Sequence, residues 1–284
     1  MSRVPLTLIG ESINDSVPST HALFEANDLA AITGLARSQS ELGADYIDVN
    51  VGPRPADFMA AVVRAVQTVT PKPLSIDSPD YALAAAGLAA CNPACGTPIL
   101  NSISPLRLEM FDLLQSHRFR PILLASENLI DGDEAPCRTA EETYDAARLL
   151  LETARSHGLS NDDCIIDPGI APIGADTENN IHRLMGALRL IHDDPAFAGV
   201  HMSVGLSNFT VMLPSRRADG SPVKLPLANA FLTRAMPLGL DMIIGSAKLA
   251  YGALPEGHPA LQCFDDCLAL SDFDVLMRVQ EFYS

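Results

Sequence analysis

The chain has 284 residues, 48% apolar and 19% charged, which is long and apolar enough for a sizeable core and excludes a disordered or fibrous protein. Its formal charge of -16, with a pI near 4.7, argues against a general nucleic-acid binder, because neutralising phosphates needs clustered Lys and Arg. No run approaches the roughly 20 apolar residues of a membrane span, and Met1 to Gly10 lacks the pattern of a secretory leader, so the expected location is the cytoplasm.

Six cysteines in so long a chain do not make a disulfide framework. Cys91/Cys95 and Cys263/Cys267 sit four apart, a spacing that can place each pair on one helical face, but no Cys-x-x-Cys or Cys/His quartet accompanies them. Reduced thiols and no protein-bound metal are the expectation.

In chain order, Leu6 to Gly10 is a short apolar run that delivers Glu11, Ser12 and Asn14 at its end. Leu29, Ile32, Leu35 and Ala36 follow at helical spacing, and Leu42-Gly43 closes that helix with a residue suited to a left-handed cap. Tyr46 to Gly52 alternates, so Asp48 and Asn50 share one side while Ile47, Val49 and Val51 share the other. After a helical Ala56 to Val69, the run Leu74 to Asp77 ends on a carboxylate, and Ser78-Pro79 reads as the cap and first turn of a helix over Asp80 to Ala90.

Ile99 to Ile103 repeats the design with Asn101 and Ser102, before Ser104-Pro105 and a helix carrying Leu106, Met110, Leu113 and Leu114 on one face. Pro121 to Glu127 is a fifth strand, Asn128 to Arg138 a polar loop, and Thr139 to Glu142 a capping box opening a helix that ends near His157-Gly158. Ile165-Ile166-Asp167 is a strand that ends on a carboxylate and breaks at Pro168-Gly169. A helix around Asn180 to His192 leads to the seventh strand, Val200 to Leu206, and then to Asn208 and a loop to Lys224 that is a candidate lid. Leu227 to Leu238 reads as helix, Leu240 to Gly245 as the eighth strand, and Asp272 to Phe282 as the last helix.

Eight strands alternating with helical patterns, without a break in composition, predict one (β/α)8 barrel over residues 1–284, with a doubly wound open sheet as the second architecture. A barrel demands polar residues at the carboxyl ends of its strands, and Glu11, Asn14, Asp48, Asn50, Asp77, Asn101, Glu127, Asp167 and Asn208 meet that demand.

Taken singly, each of these Asp and Asn residues is most simply a cap or turn former. Asp77 and Asn101, however, precede Ser-Pro turns that supply a cap of their own, which leaves both for a ligand. With no Gly-x-Gly-x-x-Gly and no Walker loop, a phosphate-bearing substrate is disfavoured. Ionised Asp accepts two donors and Asn offers both a donor and an acceptor, so the group suits a flat heterocycle with amide and amino groups, such as a pterin. A glycosidase would also use paired carboxylates, but the chain has no Trp and only 5% aromatic residues to stack on sugars. No Gly-x-Ser-x-Gly elbow supports a serine nucleophile, and His201 falls at the start of its strand, the wrong end of a barrel.

Six motifs occur in order: Gly10-Glu11-Ser12-Ile13-Asn14, Asp48-Val49-Asn50-Val51-Gly52, Ile76-Asp77-Ser78, Leu100-Asn101-Ser102, Ile166-Asp167-Pro168 and Gly205-Leu206-Ser207-Asn208. Through them the chain resembles the methyltetrahydrofolate:corrinoid methyltransferases and, more distantly, the folate domain of cobalamin-dependent methionine synthase. The resemblance implies a pterin-binding barrel in which Asp77, Asn101 and Asp167 hold the ring, with Glu11, Asn14, Asp48, Asn50 and Ser102 around it and Asn208 beside the methyl-bearing N5 as the catalytic residue. It also implies tetrahydrofolate or 5-methyltetrahydrofolate as substrate, a cobalamin or other corrinoid carried on a separate protein, and a homodimer. The chain has no Asp-x-His-x-x-Gly corrinoid-binding signature of its own. Arg216 and Arg217 are candidates to contact the folate tail or the partner.

Two departures stand out: Ser12 where the family usually has Arg, and an apparent insertion from Ala218 to Lys224, which leaves the register of Asn229 open. A dihydropteroate synthase, which would need an Asn-Val-Thr-Pro-Asp-Ser-Phe run and a basic pyrophosphate site, and a noncatalytic pterin-binding partner of a corrinoid protein are the alternatives.

Overall fold

Eight parallel strands line up through the chain: β1 (Thr7–Asn14), β2 (Tyr46–Asn50), β3 (Leu74–Asp77), β4 (Ile99–Ile103), β5 (Arg120–Leu124), β6 (Ile165–Asp167), β7 (His201–Met202) and β8 (Met242–Gly245). This computed structural model describes residues 6–130 and 132–284; Met1 to Pro5, part of the leader reading, and Asp131, in the predicted polar loop, lie outside the described residues. Each strand pairs with the next in sequence from β1 to β7, and β1 pairs with β8. Parallel bridges Met202 to Leu240 and Gly205 to Ile244 close the remaining seam between β7 and β8. The result is a (β/α)8 barrel, not an open sheet.

Among the described residues ten helices surround it: α1 (Pro18–Glu25), α2 (Leu29–Glu41), α3 (Ala56–Gln67), α4 (Tyr81–Ala90), α5 (Ala140–Ser156), α6 (Asn180–Asp193), α7 (Leu206–Phe209), α8 (Lys224–Ala235), α9 (Pro259–Ala269) and α10 (Phe273–Tyr283). None among the described residues is long and apolar enough to cross a membrane.

Alternation divides each strand between two environments. Leu8, Ile47, Val49, Leu74, Ile76, Leu100, Leu123 and Ile166 face outward into the layer of helices. Ile9, Ile99, Ile122, Ile165, Met242 and Ile244 form a separate apolar cluster inside the barrel, with Tyr46 packed against it. Further along the same inward rows come Asp48, Ser75, Asp77, Asn101 and Asp167, so the interior changes from apolar at the strand starts to polar at their ends.

Several local expectations need correction. β1 runs on to Asn14 because a bulge between Gly10 and Ile13 lets the strand continue past Glu11 and Ser12. Asp80, not Ser78, caps α4, accepting from Leu83 N at 2.9 Å, and Pro79 lies before the helix. After Ser104-Pro105 the chain forms a 3-10 helix over Leu108–Gln115. The polar loop after β5 contains a hairpin of Glu127–Ile130 with Asp133–Pro136. α1 and α9 lie outside the sequence reading. Cys263 and Cys267 do share the buried face of α9, whereas Cys91 ends α4 and Cys95 lies in a 3-10 turn.

Candidate functional site

The site lies where the strands end. β3 sets Asp77 directly beside Asn101 of β4, and β5 sets Leu124 beside Asp167 of β6. Asn50, at the end of β2, points its Nδ2 to Asp77 Oδ2 at 2.9 Å, while its own Oδ1 accepts Gly52 N at 2.9 Å. Asp48 lies one step deeper, 1% exposed, with its partner in register, Ser75, fully buried. Glu11, on the bulge of β1, accepts from Ser207 Oγ across the seam. The bulge frees the N–H of Ser12, which donates to Gln39 Oε1 at 3.2 Å; the Cβ of any other residue at Gly10 would overlap that glutamine.

Asp167 is held by the turn that follows it. Its Oδ1 accepts Gly169 N at 2.8 Å, and Gly169 has a positive φ of 71° with no room for a Cβ against Ser126. From α6 the buried Arg183 donates to Pro168 O at 2.6 Å, Gly169 O at 2.9 Å and Thr143 Oγ1 at 3.0 Å. A buried cation thus clamps the two carbonyls of the turn that aims Asp167.

These carboxylates are crowded and dry, which disfavours their charged forms. Burial pushes Asp77 up to about 6, against the lowering effect of Asn50. Burial likewise pushes Asp167 up to about 6, opposed by Gly169 N–H, Arg183 and Ser203. Glu11 is raised by burial and by Asp77, and Asp48 is raised well above the carboxylate range by burial and then by Asp77 and Glu11. Tyr251, whose hydroxyl accepts Ser246 N at 3.1 Å, is pushed up to about 12 by burial. Ser203 lies near Asp167 and Ser75 near Asp48, close enough to favour the carboxylates, but Ser75 Oγ, Ser203 Oγ and Asp48 Oδ1 are buried without a hydrogen bond of good geometry, capacity that suits a polar ligand.

The structure therefore gathers Glu11, Asp48, Asn50, Asp77, Asn101 and Asp167 inside one mouth. Ser102 sits half-buried beside Asn101. Asn14 is spent locally: its Oδ1 accepts Ser16 N at 2.9 Å and Ser16 Oγ at 2.6 Å. Asn208 is exposed on α7, not at a strand end, and its Nδ2 lies 3.0 Å from where a Cβ on Gly205 would stand. Glu127 pairs with Arg107 at 3.1 Å.

The segment around the apparent insertion forms a hairpin-like turn, with Arg216 bridged to Pro222 and its Nη1 donating to Gly220 O at 2.7 Å. Arg217 leaves the mouth and lies 3.8 Å above the Phe282 ring of α10. Asn229 Oδ1 accepts Gly252 N at 3.2 Å, bracing α8 to the loop after β8. Sequence reasoning did not single out Ser75, Ser203, Ser207, Tyr251 or Arg183. Ser75 carried a signal, two residues before Asp77 on the same face; the others reach the site only through the closed seam or from a helix.

Residues 13–245 match the family described as pterin binding enzymes. The chain belongs to that family. Over 251 residues it is 28% identical to the methylcorrinoid:tetrahydrofolate methyltransferase of Eubacterium limosum, covering 84% of each protein. Among solved structures, the dihydropteroate synthase of Xanthomonas albilineans with 4-aminobenzoic acid aligns with a TM-score of 0.60 at 20% identity, over 86% of this chain and 88% of that one. The dihydropteroate synthase of Burkholderia cenocepacia aligns at 0.53 and 19%, over 93% and 91%. At such identities the solved structures share the fold with this chain.

Proposed function

We propose that this pterin-binding enzyme is a methyltransferase that moves a methyl group between N5 of tetrahydrofolate and the cobalt of a corrinoid carried on a separate protein. The observation that carries this reading is the match to the Eubacterium limosum methyltransferase, which extends equally over both chains. The chemistry of the mouth agrees with it. A pterin presents an amide N–H and an amino group along one edge, and ionised Asp77 and Asp167 accept such donors while Asn101 supplies both a donor and an acceptor. Ser75, Ser203 and Asp48 offer further buried polar atoms below that lack a well-formed hydrogen bond.

A dihydropteroate synthase must also bind a departing pyrophosphate, and the arginines near this mouth are engaged: Arg54 with Asp15 and Glu25, Arg107 with Glu127, and Arg183 with the turn carbonyls. That favours the methyltransferase.

A corrinoid on its own protein would accept or supply the methyl at cobalt. This chain's part is to orient the ring and to manage one proton. When the N5–CH3 bond breaks, its electron pair stays on N5, and the amine leaves readily only if N5 already bears a proton. Asn208, exposed above the ring site, stabilises that N5–H by accepting from it through its carboxamide oxygen. In the reverse direction N5 attacks the methyl and then sheds the proton.

The partner needs an apolar face to dock against, and the segments after the strands carry Val17, Tyr81 at the start of α4, Leu129 in the hairpin, Val211, Met212 and Leu249 exposed, Met212 at 66%. The reading also carries a homodimer, which molar-mass measurement by light scattering would test. The deciding experiment is titration with 5-methyltetrahydrofolate followed by addition of cob(I)alamin and measurement of methylcobalamin absorbance. Methylcobalamin formation is expected; binding without transfer would favour a noncatalytic pterin protein, and no binding would remove the reading.

A further inference from the structure

Arg54 lies outside every motif the site uses, yet it is a charged side chain only 13% exposed, in the turn that follows β2. Its Nη1 donates to Val51 O at 2.5 Å and to Asp15 Oδ1 at 2.5 Å, and its Nη2 to Glu25 Oε1 at 2.7 Å. The guanidinium lies against a pair of edge-to-face rings, 4.9 Å from the Phe24 centroid and 5.6 Å from Phe58. Its own backbone N–H donates to Gly52 O at 2.8 Å.

The turn so clamped leads straight into the ligand site. Gly52 has a φ of 65°, and its missing side chain makes room for Asp15, whose backbone N–H donates to Asn50 O at 3.1 Å. The Gly52 N–H then donates to Asn50 Oδ1, which leaves Asn50 Nδ2 facing Asp77. A carboxamide has one donor end and one acceptor end, so fixing Oδ1 on Gly52 decides which end Asp77 meets. If the turn relaxed, the amide could reverse and set an oxygen against the carboxylate.

We propose that Arg54 is a positioning residue for the ring site, clamping the Val51-Gly52 turn so that the Asn50 amide keeps its donor on Asp77 and Asp77 stays a hydrogen-bond acceptor for a bound pterin. The proposal rests on the pterin-site reading above. The ionisable groups that face Asp77 are Glu11 from β1 and Asp48 from β2, and Asp77 raises the pKa of both. Burial raises the cost of the Asp77 charge, and Asn50 is the neutral donor that opposes it.

The test is binding of 5-methyltetrahydrofolate to the full chain as a function of pH, for the wild type, Arg54→Gln, Asn50→Ala and the double variant. Arg54→Gln is expected to weaken binding roughly tenfold at neutral pH, to move the pH midpoint of binding upward as Asn50→Ala does, and to add little in the Asn50→Ala background. A merely structural arginine would lower the melting temperature, leave the midpoint in place, and give additive losses; that pattern would overturn the proposal. If Arg54→Gln does not fold, Glu25→Gln decides, since it removes one exposed partner of Arg54: an upward midpoint shift supports the proposal and an unchanged midpoint overturns it. Failure of the wild type to bind would instead count against the pterin reading itself.

Discussion

The two ends of the barrel interior are built from the same inward rows of the same strands, yet they answer opposite demands. At the strand starts, Ile9, Ile99, Ile122, Ile165, Met242 and Ile244 fill the interior with apolar volume that has no unmet bonding capacity. A few residues further on, Glu11, Asp48, Asp77 and Asp167 crowd carboxylates into a space where burial raises the pKa of every one. The floor adds stability to the fold. The mouth subtracts from it, and such a subtraction persists where a ligand supplies the missing partners.

The comparison breaks most visibly at the floor. Ile165→Ala should cost about 2–5 kcal/mol of unfolding free energy, by lost transfer energy and a cavity, while leaving the order of ligand preference unchanged. Chemical denaturation measures it; a loss under about 1 kcal/mol would mean the floor is not close-packed.

At the mouth the signs reverse. Asp77→Asn is expected to weaken folate binding by roughly 1.5–3 kcal/mol, the range for a hydrogen bond to a charged group, and yet to stabilise the free protein at about pH 8. Asp77 has a folded-state value near 6, above its ordinary one. Its contribution to stability is therefore fully present below about pH 4 and is lost as pH rises through about 6. Denaturation midpoints across that window should fall less steeply in Asp77→Asn than in the wild type. Binding runs the other way: the acceptors must be ionised, so affinity is expected to decline as pH drops through about 6. Calorimetric titration showing pH-independent affinity would contradict acceptor roles for Asp77 and Asp167.

On the proposed reading, Asn208→Ala is expected to weaken folate binding modestly and to slow methyl transfer at least tenfold, about 1.4 kcal/mol. Stopped-flow measurement of methylcobalamin provides the check. The smallest effect belongs to the floor side of the seam, where His201 Nδ1 meets Asp241 Oδ2 at 2.6 Å between β7 and β8. The Asp241 bond raises the His201 pKa, so this contribution is present below about pH 6.5 and is lost as pH rises through the folded-state value. His201→Gln should cost about 0.3–1 kcal/mol near pH 6 and less near pH 9, the scale of a partly exposed pair.

Much of this was legible along the chain because a parallel barrel writes its inside and outside into a period of two. Asp48 and Asn50 declared their shared face beside Ile47, Val49 and Val51, and Asp77, Asn101 and Asp167 each closed an apolar run. The capping box of Thr139 and Glu142 is also where its pattern put it. Less legible were features that depend on two distant segments meeting. A bulge such as that in β1 leaves no mark in hydrophobic pattern, and α7 is too short to show a helical period.

The eight strands and the carboxylates and amides at most of their ends were thus determined by sequence alone, since these follow from local alternation and residue type. Closure of the strands into a barrel rather than an open sheet was decided by the tertiary bridges. Tertiary structure decided what those groups do to one another. Closing the seam between β7 and β8 brings Ser207 to Glu11, α6 delivers Arg183 beneath Asp167, and the clamp on Arg54 turns Asn50 toward Asp77. Raised carboxylate pKa values come from the same closure, because burial and like-charge proximity are properties of the packed interior and not of any segment of the chain.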